Sequence, residues 1–278
     1  MTELIVGATG TVTFLCRNAA GVLTVPTVAT VAAVDETGTT VAGCTATIGA
    51  AGLVTVATPA LASVGLLVVT LTATVSTVVQ TYTERCEVAG AFWFDLQELR
   101  ESNSQLAATG AYTDAQLAKA RRQAVVRCEE ILGYAGVERY SEWTGMAQGV
   151  CISLPHHHIR TVRTAAAGWS PTTPTALDVT QIAVSPSSVH GWWCPGQKVV
   201  IGYTHGAPFL TDSLRQACLT LAADKLFAGK TALSSRTTRY SQSGDGTTYF
   251  LDQAGPMKTG LPEVDAVLRA ASLSLGIA

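Results

Sequence analysis

Three consecutive histidines, His156-His157-His158, are the residues whose type most readily suggests chemistry, because neutral imidazole is the commonest metal ligand. A metal centre needs three or four ligands that converge. On a strand, alternation would send His157 to the side opposite His156 and His158, and no carboxylate stands at a chelating spacing nearby. The run therefore reads as a strand edge or subunit contact, with no metal expected. Cys194 follows Trp192-Trp193 and stands eleven residues before His205, so a thiol–imidazole pair assembled in space is one arrangement the spacing leaves open. Inert packing is the default for such a cysteine. Gly244-Asp245-Gly246 lacks the Lys-Ser/Thr of a phosphate loop and the spaced acids of a calcium loop, so it reads as a turn. Arg236 and Arg239, in the same segment as Asp245, have the chemistry to meet phosphate or a neighbouring subunit. The GxSxG, SxxK and HExxH patterns of hydrolases are missing, so neither an enzyme nor a cofactor is expected.

The elements that must position these residues fall into two compositional halves. From residue 2 to about 90 few charges occur, and short Val/Thr-rich runs alternate: 11–15, 28–34, 53–56 and 66–75, separated by Gly-containing turns. Strands at this spacing predict an immunoglobulin-like β-sandwich over 1–90. Cys16 and Cys86 are placed like the inter-sheet cysteines of that fold, but no tryptophan lies between them, and free thiols are the expectation. The chain's seven cysteines are odd in number and show no CxxC spacing, which argues against a disulfide scaffold or zinc ribbon.

Beyond Phe92-Trp93-Phe94 the pattern becomes helical. Helices are predicted over 95–101, over 113–132 behind the capping box Thr113-Asp114-Ala115-Gln116, over 212–228, and over 262–275 from Pro262. A β-rich stretch spans 150–203, with one strand expected from Val150 to Val162. Lys230 to Gly246 is polar and reads as a mobile loop. The last helix carries an apolar stripe of Val264, Val267, Leu268 and Leu275 that needs a partner surface. With 47% hydrophobic residues, 14% charged and a mean hydropathy of +0.29, the chain is a packed protein rather than a disordered one. No apolar run reaches the length of a membrane span, and no secretory signal is seen, so the protein is expected to stay where it is made. The net charge of -2 argues against gripping DNA by bulk electrostatics.

Four strings occur in a telling order: Tyr112 to Arg121 opening a helix, Ile152-Ser153-Leu154-Pro155 leading to Val162, Val200 to Gly206 before the helix start Asp212-Ser213-Leu214-Arg215, and Thr259 to Leu268. This set resembles the head-to-tail connector (adaptor) proteins of long-tailed bacteriophages over residues 94–278. Residues 1–90 lie outside the resemblance; with their Ig-like sandwich, the chain is expected to be α+β, the sandwich followed by a helical connector domain, 91–278, with a β-rich insertion. The resemblance implies a ring, commonly of twelve copies, beneath the portal protein at the capsid–tail junction of the virion, assembled in the host cytoplasm. The portal, neighbouring copies, a downstream connector or tail completion protein, and DNA passing through the channel are its implied partners; no membrane is involved. On this reading Val264, Val267, Leu268 and Leu275 bind the portal, while Arg236, Arg239 and Asp245 lie in an inter-subunit or channel loop. The alternative is an Ig-like recognition module on a virion or cell surface; an enzyme using Cys194 and His205 comes third.

Overall fold

The computed structural model describes residues 2–107, 112–169, 174–207, 209–227, 237–243, 246–251 and 258–274. It is mixed α+β, with 27% helix and 40% strand, so the chain is β-rich rather than helical. It divides into two compact units, each built from two separate stretches: 1–91 with 137–206, and 92–136 with 207–278. The β-rich stretch 137–206 groups with the first 91 residues and not with the helices.

In the first unit, the Val/Thr alternation produces β2 (Gly10–Leu15), β3 (Val28–Asp35), β5 (Leu53–Thr58) and β6 (Gly65–Val75). Three strands are additional to those expected: β1 (Thr2–Ile5), β4 (Thr45–Ile48) and β7 (Val78–Ala89). They make two sheets, β1-β7-β6-β3 and β2-β5-β4, antiparallel except for the parallel β1–β7 pair. Inward residues of both sheets share one core, with Val12, Phe14, Val54 and Val56 from one and Leu67, Val69, Leu71 and Ala73 from the other. Cys16 and Cys86 are buried in that core as free thiols. Burial pushes the Cys86 thiol up to about 11, so it packs as a small hydrophobe.

The rest of this unit comprises β8 (Arg139–Met146), β9 (Cys151–Ser153), β10 (Ile159–Gly168), β11 (Thr175–Ala176), β12 (Ala183–Ser185), β13 (Ser188–His190) and β14 (Lys198–His205). The sheet orders are β11-β10-β14-β8 and β12-β13-β9, around a core that includes Ile152, Val162, Val189, Trp193, Ile201 and Tyr203. The single strand expected over 150–162 is two strands, β9 and β10. Pro155 offers no amide to a ladder, and His158 adopts a left-handed φ of 58°, so the chain turns there. Ion pairs join the two stretches of the unit: Arg163 to Glu36 at 3.1 Å, Arg139 to Glu87 at 3.2 Å and Arg85 to Glu142 at 2.5 Å. The Glu36 side chain is only 5% exposed, so its carboxylate depends on Arg163 for its counter-charge, with the Leu66 amide donating to it at 3.2 Å.

The second unit carries α1 (Leu96–Glu101), α2 (Ser104–Ala107), α3 (Asp114–Leu132), α4 (Asp212–Phe227) and α5 (Pro262–Ser274). Thr113 caps α3 through the expected capping box with Gln116, and Gly133, at φ 76°, closes it in the left-handed conformation that glycine adopts freely. Asp95 forms a second capping box with Glu98 on α1. Helices α3, α4 and α5 pack on one another, burying Leu117, Cys128, Leu214, Leu221, Val264 and Leu268. The stretch from Lys230 to Gly246, expected as a loop, contains β15 (Thr237–Ser243), which pairs antiparallel with β16 (Gly246–Leu251). Tyr240 lies opposite Tyr249 in that register. Alternation through Thr, Ser and Gln, with Leu251 the one aliphatic residue of the two strands, hid the hairpin.

Candidate functional site

The histidine run lies in the turn between β9 and β10, so the alternation argument does not apply to it. His156 stacks on His205 from β14, with ring centroids 3.9 Å apart and planes 11° from parallel. His156 Nδ1 is 2.6 Å from the Tyr203 hydroxyl, and His205 Nε2 is 3.0 Å from Ser141 Oγ on β8. His205 is buried, and its Nδ1 has no hydrogen-bond partner in the structure. Burial, then the neighbouring His156 and Arg139, push its pKa down to about 3. Burial and the adjacent His157 also lower that of His156. Both rings are therefore neutral at physiological pH. The Ser141–His205 contact has the geometry of a nucleophile and base, yet a base with so low a pKa holds a proton too weakly to drive general-base catalysis near neutrality. Among the described residues no group of three or more His, Cys, Asp or Glu is placed to hold a metal.

Cys194 and His205 do not come together. Cys194 is exposed just before β14, while His205 ends that strand. Lys198 to His205 alone spans about 23 Å at the usual rise per strand residue. The spacing of eleven residues implied proximity only if the chain turned back on itself, and after the turn at 194–197 it runs out along one strand from Lys198 to His205. A different thiol–imidazole contact occurs instead, Cys151 Sγ to His190 Nε2 at 3.8 Å across the β9–β13 pair, with both residues exposed. A cavity of about 320 Å³ is lined by Glu138, Arg163, Thr161 and Thr204 among others. Its charges are already matched, Glu138 by Arg160 and Arg163 by Glu36.

The stripe on the last helix is not left open. Val264 and Leu268 are fully buried against the chain's own helices, and Val267 is half-buried. The premise that the whole stripe lacks a partner is therefore corrected: amphipathic periodicity shows that a helix needs a surface, and α3 and α4 supply it. Leu275 lies outside the described residues, as do Arg236 and Asp245; Arg239 falls on β15, opposite Phe250.

The sequence reading overlooked a surface around the connection from β13 to β14. Trp192 is 84% exposed, Trp169 68%, Val150 64% and Met146 58%. The Gly191 amide donates to the Val150 carbonyl at 3.0 Å, and the Gly196 amide to Ala147 at 2.8 Å. The Trp169 ring lies over Gly196, where a Cβ would come within 3.4 Å of it. The signal was present as two adjacent tryptophans flanked by His190-Gly191 and Cys194-Pro195-Gly196, turn-forming residues that keep a bulky side chain at the surface.

No family model matches the sequence, and no curated protein matches it. Among solved structures, the chain is similar to a component of the virion of a native gene transfer agent particle, at TM-score 0.44 and 17% identity over 64% of this chain and 88% of that one. It is also similar to a chain from the neck of an empty gene transfer agent particle, at TM-score 0.39 and 21% identity over 47% of this chain and 76% of that one. The filamin domain of Lin-41 matches over 29% of the chain at TM-score 0.24 and 18% identity.

Proposed function

We propose that this chain is a structural protein of a phage-like particle, a head-to-tail connector whose copies form a ring between portal and tail and leave a channel for DNA. The observation that carries the reading is that three of the four strings fall on the elements expected of them, and the second is divided between two strands. Tyr112 to Arg121 leads into α3 through its capping box, and Ile152 to Val162 spans β9 and the start of β10. Val200 to His205 lies in β14, and Asp212 opens α4. Thr259 precedes α5, its amide and hydroxyl donating to Asp265 Oδ1 at 2.6 and 2.8 Å. The strands before Gly90 are an added Ig-like module in this reading. Portal contact belongs to Val267, Leu275 and the exposed side of α5, because Val264 and Leu268 hold that helix to its own unit. The hairpin carrying Arg239 faces a neighbouring copy or the channel. The near-balanced net charge of -2 suits a channel through which DNA must slide without sticking.

Mass measurement of the purified chain, alone and mixed with the portal of its own particle, tests this. A closed ring, or a defined stoichiometric complex with portal, is the expected result. A monomer under both conditions at every concentration refutes it.

A further inference from the structure

The seven cysteines sort by what surrounds them. Cys16, Cys86, Cys128 and Cys218 are buried and Cys44 is partly so, and burial pushes the thiols of Cys16, Cys44, Cys86 and Cys218 up, which makes them poor nucleophiles. Cys151 and Cys194 are the two exposed thiols. The Cys194 amide donates to Gln197 Oε1 at 2.9 Å, and His205, the imidazole its spacing suggested, lies at the far end of β14. Cys151 differs. It stands directly opposite His190 in the β9–β13 register, so the two side chains share a face, and its Sγ is 3.8 Å from His190 Nε2. Ser188, two residues before His190 and on the same face, places its Oγ 3.4 Å from the same nitrogen. Ile152 and Val189 are buried on the other side of these strands, so the face with the thiol–imidazole pair is the solvent side. Its remaining in-register positions are the small Ser153, Ala183 and Ser185, and no Asp, Glu, Lys or Arg occurs on β9, β12 or β13. Beyond His190 itself, that sheet sets no bulky or charged side chain in the way of a molecule approaching Cys151 Sγ.

We infer that Cys151 is a modification site, a thiol that exchanges with small disulfides such as oxidised glutathione, with His190 as its base. In the tautomer with the ring proton on Nδ1, His190 Nε2 accepts from the Cys151 thiol. Sγ attacks one sulfur of the disulfide as its proton passes to Nε2; a new S–S bond to Cys151 forms, the disulfide's own S–S bond breaks, and the departing sulfur takes the proton from Nε2 and leaves as a free thiol. Cys151 is oxidised and the departing half of the disulfide is reduced, so nothing else is consumed. While the ring holds the extra proton, Nε2–H can donate to Ser188 Oγ, which keeps the imidazolium in place. All three side chains belong to the first unit, so this chemistry needs no second copy of the chain.

Cys194, exposed but without an imidazole beside it, is the internal control. Dithiobis(nitrobenzoate), itself a disulfide, is added to the full native chain, and Cys151→Ser and Cys194→Ser chains assign each phase of the reaction. The Cys151 phase should run about tenfold or more ahead of the Cys194 phase. His190→Ala should bring the two rates within about threefold of each other, while the Cys194 rate, which reports an intact fold, stays the same. His190→Gln should slow Cys151 as much as His190→Ala does, because glutamine keeps a comparable size and hydrogen bonding but cannot take the proton; an imidazole with a merely structural role would be replaced by glutamine without loss. Oxidised glutathione should add one glutathione to the wild-type chain, located on Cys151 by peptide mass spectrometry. A Cys194 phase as fast as that of Cys151, an unchanged Cys151 rate in His190→Ala or His190→Gln, or glutathione on Cys194 in preference to Cys151 overturns the assignment. If the His190 variants do not fold, the wild-type ratio of the two rates and the position of the glutathione decide it.

Discussion

Acidification should weaken the β-rich unit through His205, and the size of the effect follows from its surroundings. The ring is buried, stacked on His156 at 3.9 Å, and its folded-state pKa is pushed down to about 3. In the unfolded chain the same group titrates near 6.5. Its folded value is depressed, so between these values the unfolded state takes up the proton first. The stability linked to neutral His205 is thus fully present above about pH 6.5 and is lost progressively as the pH falls toward 3. From pH 7 to pH 5 the loss is about 2 kcal/mol, and it reaches about 4 kcal/mol if the unit remains folded to pH 3. Urea unfolding followed by tryptophan fluorescence reads this unit well, since Trp143, Trp169, Trp192 and Trp193 belong to it and only Trp93 does not. His205→Gln supplies the comparison, because titrating carboxylates contribute equally to both proteins. Wild type should lose about 2 kcal/mol more than the variant between pH 7 and pH 5. Equal losses, or a wild type that gains stability on acidification, would refute the assignment of a neutral buried imidazole.

Leu268→Ala should destabilise the helical unit by about 2–5 kcal/mol, measured by urea unfolding followed by circular dichroism at 222 nm, because the side chain is fully buried between helices; a change within error would show that α5 is not docked. Removing residues after Gly260 should for the same reason open the α3–α4 surface and bring in dye binding, and a truncated chain that melts like the full one would disprove it. Thr113→Ala should cost about 1 kcal/mol through loss of the cap on α3, while Thr113→Ser should be nearly neutral, both read by denaturant midpoint. Arg163→Met should destabilise the first unit more than Glu36→Gln and Arg163→Met together, because the single change strands a buried carboxylate; the reverse order in thermal unfolding would count against the ion pair.

Legibility in the sequence followed the kind of signal each element carried. The α3 cap was readable because Thr113 and Gln116 make a local, side-chain-encoded bond at a fixed spacing. Strand β7 was not, because its tie to β6 is a two-residue turn through Ser76 and Thr77, at φ 48° and 70°, where glycine or asparagine would normally announce it. Polar alternation through Gln80, Thr81, Glu84 and Arg85 then gave little apolar contrast. The histidine cluster was half legible: the residue types stood out, but His156 meets His205 only because β10 and β14 pair across 46 residues, from Ile159 to His205. The ion pairs between the two stretches of the first unit involve separations that no local pattern encodes. The same is true of the burial of α5, whose stripe shows that it docks but not on what.

That first unit is interleaved with the second along the chain, and this sets an order of events during synthesis. Glu36 waits 127 residues for Arg163. At about 5–20 residues per second that is a delay of roughly 6–25 s, during which the early strands have formed next to a carboxylate that must stay in water. The helical stretch 92–136 emerges meanwhile, ahead of its own partners in 207–278. Neither unit can finish before the ribosome has passed residue 206. Half-made chains therefore expose unmatched sheet and helix surfaces for seconds at a time, a window in which a chaperone or a slow codon stretch would act.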